Sequence, residues 1–188
     1  GFEEKRIHCI PTFTASKTTI GKQQIGSYGL YFGRVTEEKG VETVIKAYEK
    51  LPEYTVKIMG DDTTDEAKRL KKYVENHKMK NVEFLGFKSG AELENVIKGA
   101  RFTLIPSIWY DNLPNTALES FQYSKPVIAS NIGSLPELVI DGENGYLFKP
   151  SNVEDLIKKI KMLDDDTLVK KMGQASRKRL ESRFAPQT

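Results

Sequence analysis

The chain has 188 residues, 38% of them hydrophobic and 29% charged, with a formal net charge of +3. That is enough length for one domain with a full core, and the composition is that of a globular protein. The small charge gives no electrostatic reason to expect nucleic acid, the single cysteine, Cys9, excludes an intrachain disulfide, and two histidines leave a structural zinc centre short of ligands.

Residues 1–27 are polar and turn-rich apart from Ile7-His8-Cys9-Ile10, and read as linker with one short strand. The chain opens on Gly1 rather than on methionine, so a fragment is expected, with residues 1–26 as a linker remnant and 27–188 as the folded domain. From residue 28 short apolar runs alternate with longer segments of helical period, the pattern of βαβ units around a parallel sheet. The strand candidates are Tyr28–Phe32, Thr55–Met59, Val82–Leu85, Phe102–Ile105, Pro126–Ala129 and Gly145–Phe148. Several are apolar throughout, as strands covered on both faces are. Val41, Val44, Ile45, Tyr48 and Leu51 repeat at helical spacing, and helices also fit 64–78, 90–98, about 114–123, 152–163 and 167–183. The expected fold is α/β: a doubly wound, Rossmann-like domain of about six parallel strands with helices on both faces.

In such a sheet ligands bind beyond the carboxyl ends of the strands. Gly33-Arg34 follow the first strand, and Lys39 opens the next helix. Arginine offers a planar fork to phosphate oxygens and lysine a point charge; the competing reading pairs Arg34 with Glu37 or Glu38. The fourth strand ends at Pro106-Ser107, and the loop after it carries Trp109, Tyr110 and Asp111. Trp109 fits either a core position or a pocket wall. A helix follows with Pro114 near its first turn, where a missing N–H does no harm. The amides of Asn115 and Thr116 would then form an anion site. Glu119 can accept two ribose hydroxyls, or it can close a capping box of Thr116-Ala117-Leu118-Glu119 if the helix starts at Thr116. Asp111 stands eight residues before it, as a hydroxyl acceptor or a turn residue. Cations at one corner and acids at the other describe a pocket for an activated sugar.

Asp61-Asp62 and Asp164-Asp165-Asp166 read as turn and cap residues rather than metal ligands. No Walker loop and no Gly-x-Gly-x-x-Gly is present, because Gly26, Gly29 and Gly33 have the wrong spacing. The basic segment Lys170–Arg179 reads as a solvated helix face, with anionic lipid as the sharper alternative.

At these residues the chain resembles the C-terminal half of retaining glycosyltransferases of family 4, which have the GT-B fold. The markers run in order: Phe32-Gly33-Arg34 with Glu38-Lys39-Gly40, Val82 to Phe87, Pro106-Ser107, Asp111 to Glu119, Lys125 to Ala129, and Gly133 to Val139 leading into Asp141 to Phe148. The resemblance implies that Arg34 and Lys39 hold the donor diphosphate, that Glu119 binds ribose as the second acid of a Glu-x7-Glu pair, and that Asp111 is the first acid, near the transferred sugar. It further implies backbone contacts to sugar and phosphate from Asn112, Leu113, Pro114, Asn115 and Thr116, close approach at Gly33, and a nucleobase flanked by Gly86 and Phe87. The donor would be a nucleotide-diphosphate sugar such as a UDP-sugar, with no metal and no cofactor. Asp111 departs from the usual Glu by one methylene, and Gly60-Asp61-Asp62 stands where a second glycine is common.

The implied partner is an N-terminal acceptor-binding domain of the same protein. Without it the chain is expected to bind donor weakly and to transfer nothing, since catalysis needs both reactants in one geometry. No apolar run approaches the roughly 20 residues of a membrane span and no signal peptide is visible. The expected location is cytoplasmic, with peripheral contact at the cytosolic face of a membrane left open. The rival readings are a non-catalytic nucleotide-sugar-binding module on the same fold and a lipid- or nucleic-acid-surface protein acting through the basic last helix.

Overall fold

The computed structural model describes residues 24–110 and 114–184. The apolar runs form six strands: β1 (Tyr28–Phe32), β2 (Thr55–Met59), β3 (Val82–Gly86), β4 (Ala100–Ile105), β5 (Val127–Ser130) and β6 (Gly145–Phe148). All pair in parallel, in the order β3-β2-β1-β4-β5-β6. The helices are α1 (Val41–Glu49), α2 (Asp65–Asn76), α3 (Gly90–Gly99), α4 (Asn115–Gln122), α5 (Leu135–Leu138), α6 (Val153–Met162) and α7 (Asp166–Arg183). The one-turn α5 was not expected from sequence; four residues with a proline carry too little periodicity to announce a helix.

Because side chains alternate across a strand, the sheet feeds two cores. On one face Val56, Ile58, Leu104 and Ile128 meet Val44, Leu70 and Ile160 from α1, α2 and α6. On the other, Ile105, Val127 and Ala129 meet Leu118 and Phe121 of α4, while Leu30, Phe32 and Met59 meet Ile97 of α3. Helix α7 serves both, with Val169 and Met172 in the first core and Leu180 in the second. Met172 and Ser176 of the basic segment are buried, as is Leu180 just after it. Arg177 donates to the Gln122 carbonyl at 2.9 Å and Arg179 to that of Glu137. The segment is therefore in large part structural, with Lys170, Lys171 and Lys178 left exposed.

Asp61 and Asp165 take the turn and cap roles expected of them, while Asp62, Asp164 and Asp166 instead pair with Lys71, the Tyr54 hydroxyl and Arg101. Asp61 accepts from the Thr63 amide and hydroxyl, Asp62 pairs with Lys71 at 2.5 Å, and Asp165 caps α7 through the Thr167 amide at 2.7 Å. Among the described residues no three His, Cys, Asp or Glu side chains gather as a metal site, and no helix is long and apolar enough to cross a membrane.

The start of the described chain is fastened to the sheet by a buried lysine. The Lys125 ammonium donates to the carbonyls of Gln24, Lys98 and Ala100, each at 2.7 Å. Burial pushes its pKa down to about 8; three carbonyl dipoles, one for each N–H, keep the proton on at neutral pH. Residues 1–23, with the proposed short strand, His8 and Cys9, lie outside the described residues, as do Asp111, Asn112, Leu113 and 185–188.

Candidate functional site

The strand order reverses between β1 and β4: the chain leaves β1 toward β2 and leaves β4 toward β5. The loops after these two strands diverge and open a crevice at their carboxyl ends. Its walls come from the residues each strand delivers there.

At the β1 corner the chain passes through Gly33 and Arg34, then a short 3-10 turn (Glu37–Lys39), then Gly40 into α1. Gly40 is at φ 67°, and a Cβ there would lie 2.1 Å from the Pro106 carbonyl oxygen. Only glycine lets the β1 and β4 corners approach this closely. The Ile108 amide seals the contact by donating to the Glu38 carbonyl at 2.9 Å. A second close approach ties β1 to β2: a Cβ on Gly60 would lie 1.9 Å from the Gly33 carbonyl oxygen, and the Gly60 amide donates to Gly86 at 3.0 Å. The floor of the site is thus backbone with few side chains in the way.

The main crevice has a volume of about 320 Å³, within the range of small-molecule sites, and is lined by Phe32, Gly33, Arg34, Met59, Gly60, Asp61, Phe87, Lys88, Leu93, Thr116 and Glu119. Arg34 and Glu119, 85 positions apart in sequence, face one space. A smaller recess shares Phe32, Gly33, Arg34 and Thr116 and adds Lys39, Ser107 and Pro114. Lys39 therefore sits one step beside the main crevice rather than in it.

Arg34 is exposed and pairs with Glu38 only at 4.0 Å. The competing reading of Arg34 is present in this weak form. Such a surface pair contributes less than about 1 kcal/mol and can yield to an anion. Glu38 has another partner: the Thr36 hydroxyl at 2.7 Å holds its carboxyl below the usual range, with smaller help from the Arg34 and Lys39 charges.

Helix α4 begins at Asn115 with Pro114 at the N-cap and no side-chain cap. The capping-box alternative for Glu119 required a start at Thr116, so it does not form. Pro114 itself stands one position earlier than expected. The Ala117 amide folds back to the Pro114 carbonyl at 3.0 Å, which leaves the Asn115 and Thr116 amides at the helix mouth without an intrahelical acceptor. Glu119 lies one turn further on, half-buried. Among the described residues no donor or cation pairs with its carboxylate, and burial pushes its pKa up. An unpaired, desolvated carboxylate on a crevice wall is set to accept hydroxyls.

Phe87 projects at the far wall, 74% exposed, from the loop after β3, and Gly86 precedes it at φ 68°. Met59, Lys88 and Leu93 were not singled out from sequence as lining residues, and Gly60 was noted only where a second glycine is common. Gly60 follows its strand as Gly33 follows β1, and that parallel gives its place on the wall. Trp109 is neither core nor crevice wall: it is 67% exposed. Asp111, Asn112 and Leu113 lie outside the described residues.

Residues 16–179 match the family described as Glycosyl transferases group 1. The chain belongs to that family. Group 1 membership agrees with an uncharacterized glycosyltransferase of Methanocaldococcus jannaschii, MJ1178, 32% identical over 149 residues, 79% of this chain and 41% of that protein. The chain spans about two fifths of the length of the curated relatives it matches. Among solved structures, the C-terminal domain of a group 1 glycosyl transferase (LpcC) from Francisella tularensis superposes with a TM-score of 0.74 at 26% identity, covering 87% of this chain and 89% of that one. Anabaena Alr3699/HepE, solved in complex with UDP-glucose, shares the fold at a TM-score of 0.78 and 23% identity, covering 85% of this chain and 45% of that one. This Rossmann-like α/β fold, with its six-stranded parallel sheet, is shared with GT-B glycosyltransferases, and the chain covers about half of the full-length ones.

Proposed function

We propose that this group 1 domain is the donor-binding half of a retaining, family 4 glycosyltransferase that moves a sugar from a nucleotide-diphosphate sugar to an acceptor without a metal. The observation that carries the reading is the shared crevice of Arg34 and Glu119 at the point where the strand order reverses.

The diphosphate lies between the Arg34 guanidinium and the open amides of Asn115 and Thr116, with Lys39 adding charge from the side recess. The ribose hydroxyls donate to Glu119, and the base lies toward Gly86 and Phe87. Asp111 takes hydroxyls of the transferred sugar. In the transfer the bond from the anomeric carbon to the diphosphate oxygen breaks, and a bond from that carbon to the acceptor oxygen forms on the same face. The acceptor proton passes to the departing diphosphate, and Arg34 and Lys39 stabilise the charge that develops there. UDP is the favoured nucleotide, in keeping with the UDP-glucose bound by HepE.

Calorimetry of the chain against UDP-, GDP- and ADP-glucose tests the reading. Binding of at least one, weakened by Arg34→Ala, is expected. No binding of any nucleotide-sugar would instead favour an interaction module on this fold.

A further inference from the structure

The Arg34 side chain is 73% exposed, with Glu38 4.0 Å away as its ion-pair partner. A long side chain held so loosely loses rotamer freedom when it binds an anion. Where its fork points therefore depends on how firmly the backbone beneath it is held. That backbone is fastened residue by residue. The Gly33 amide donates to the Met59 carbonyl at 3.0 Å, and the Thr64 hydroxyl donates to the Val35 carbonyl at 2.7 Å. Between them, the Tyr31 hydroxyl donates to the Arg34 carbonyl. The β1 ladder ends at Phe32 opposite Met59, so the Arg34 carbonyl lies beyond it and needs a donor from elsewhere.

Tyr31 itself is 4% exposed and belongs to the first core. Its strand partners are Ile58 of β2 and Leu104 of β4, apolar neighbours that a phenylalanine would suit equally well. The hydroxyl is what sets tyrosine apart here. A Cβ on Gly33 would stand 3.5 Å from that hydroxyl oxygen and 3.9 Å from the Thr116 methyl. The hydroxyl thus reaches the place where the β1 corner meets the first turn of α4, on the wall of the side recess that Arg34 and Lys39 share. A phenol has one proton to give. Because Tyr31 gives it to the Arg34 carbonyl, it is not free for a phosphate oxygen, and any effect on a bound anion runs through Arg34.

Resting on the donor site proposed above, we infer that Tyr31 is a positioning residue, whose buried hydroxyl fixes the Arg34 backbone so that the guanidinium meets the diphosphate from one direction. It adds to the site a strand residue that touches no ligand.

The test measures uridine, UDP and UDP-glucose binding to the 188-residue chain by calorimetry, with Tyr31→Phe, Arg34→Ala and the double variant. Tyr31→Phe keeps the ring and removes only the hydroxyl. It should weaken UDP and UDP-glucose about fivefold, the worth of one ordinary hydrogen bond, and leave uridine within about twofold. In the Arg34→Ala background the same change should alter UDP affinity by less than about twofold, since no fork remains to be aimed. In the free chain, the order parameter of the Arg34 backbone amide should fall in Tyr31→Phe while those of β1 stay as they are. A purely structural phenol would instead weaken uridine together with UDP. The inference is overturned if Tyr31→Phe binds UDP normally, or if uridine and UDP weaken alike. It is also overturned if the double variant loses as much as the two single changes combined, or if the Arg34 amide keeps its order. Binding of no nucleotide by the unsubstituted chain would overturn the donor reading and this inference with it, whereas UDP binding untouched by Tyr31→Phe removes the inference alone.

Discussion

Arg34 and Glu119 line one crevice, and the opposite roles proposed for them should separate in their variants. In the proposed role Arg34 meets the diphosphate, so Arg34→Ala should weaken nucleotide-sugar binding by about 1.5–3 kcal/mol while leaving the nucleoside alone nearly unaffected, measured by calorimetry. Equal losses for both would remove the phosphate role. Glu119 is desolvated with its pKa raised. Protons are therefore held more tightly in the folded state, so this group's contribution to stability is full at acid pH and falls as pH rises through its folded pKa. Donor hydroxyls favour the ionised form, so affinity should rise over the same window. Glu119→Gln should flatten both profiles; an unchanged pH dependence of binding would place the titrating group elsewhere. Both proposed roles were read from residue types, Arg34 just after β1 and Glu119 in the helix after β4, but the capping-box alternative was not decidable from sequence. A one-residue difference in helix start separates the two, and Pro114 at the N-cap supplies it.

At the scale of elements, two contacts place the corners. Gly40→Ala would force a Cβ against the Pro106 carbonyl at a positive φ, and should cost about 2 kcal/mol in urea denaturation together with weaker donor binding. A neutral result would mean that the corners can separate freely. Lys125→Met leaves the Gln24, Lys98 and Ala100 carbonyls without their donor. It should destabilise by about 3 kcal/mol and speed amide exchange at the first residues of β1 and β4. Strands and long helices were readable because their apolar periods are long. Lys125 was readable only as one residue of a family marker: nothing local announces a lysine that finds three carbonyls from separate segments. The true starts of β4 and β5, at Ala100 and Val127, were hidden for the same reason, since contacts between distant segments set them, whereas α5 was hidden by its shortness.

For the whole molecule, the alternation of strands and helices announced a doubly wound parallel sheet, while the strand order and the reversal between β1 and β4, which dictate where a ligand sits, come from the structure. What the sequence order could not convey is depth. Arg34, Glu119 and Phe87 share one crevice, while Lys39 stands in a side recess and Trp109 faces outward. Since transfer needs donor and acceptor held together, the chain by itself should bind nucleotide-sugar without turnover, checked by release of free nucleoside diphosphate in the presence of oligosaccharide; steady release would contradict that division of labour. The central claim is tested most directly by diffraction from crystals of the chain soaked with UDP-glucose. The diphosphate is expected between Arg34 and the amides of Asn115 and Thr116, with the ribose on Glu119. Nucleotide lodged instead at the opposite end of the sheet, in the groove of Glu49, Thr55, His77 and Lys80, or no bound nucleotide at saturating concentration, would contradict it.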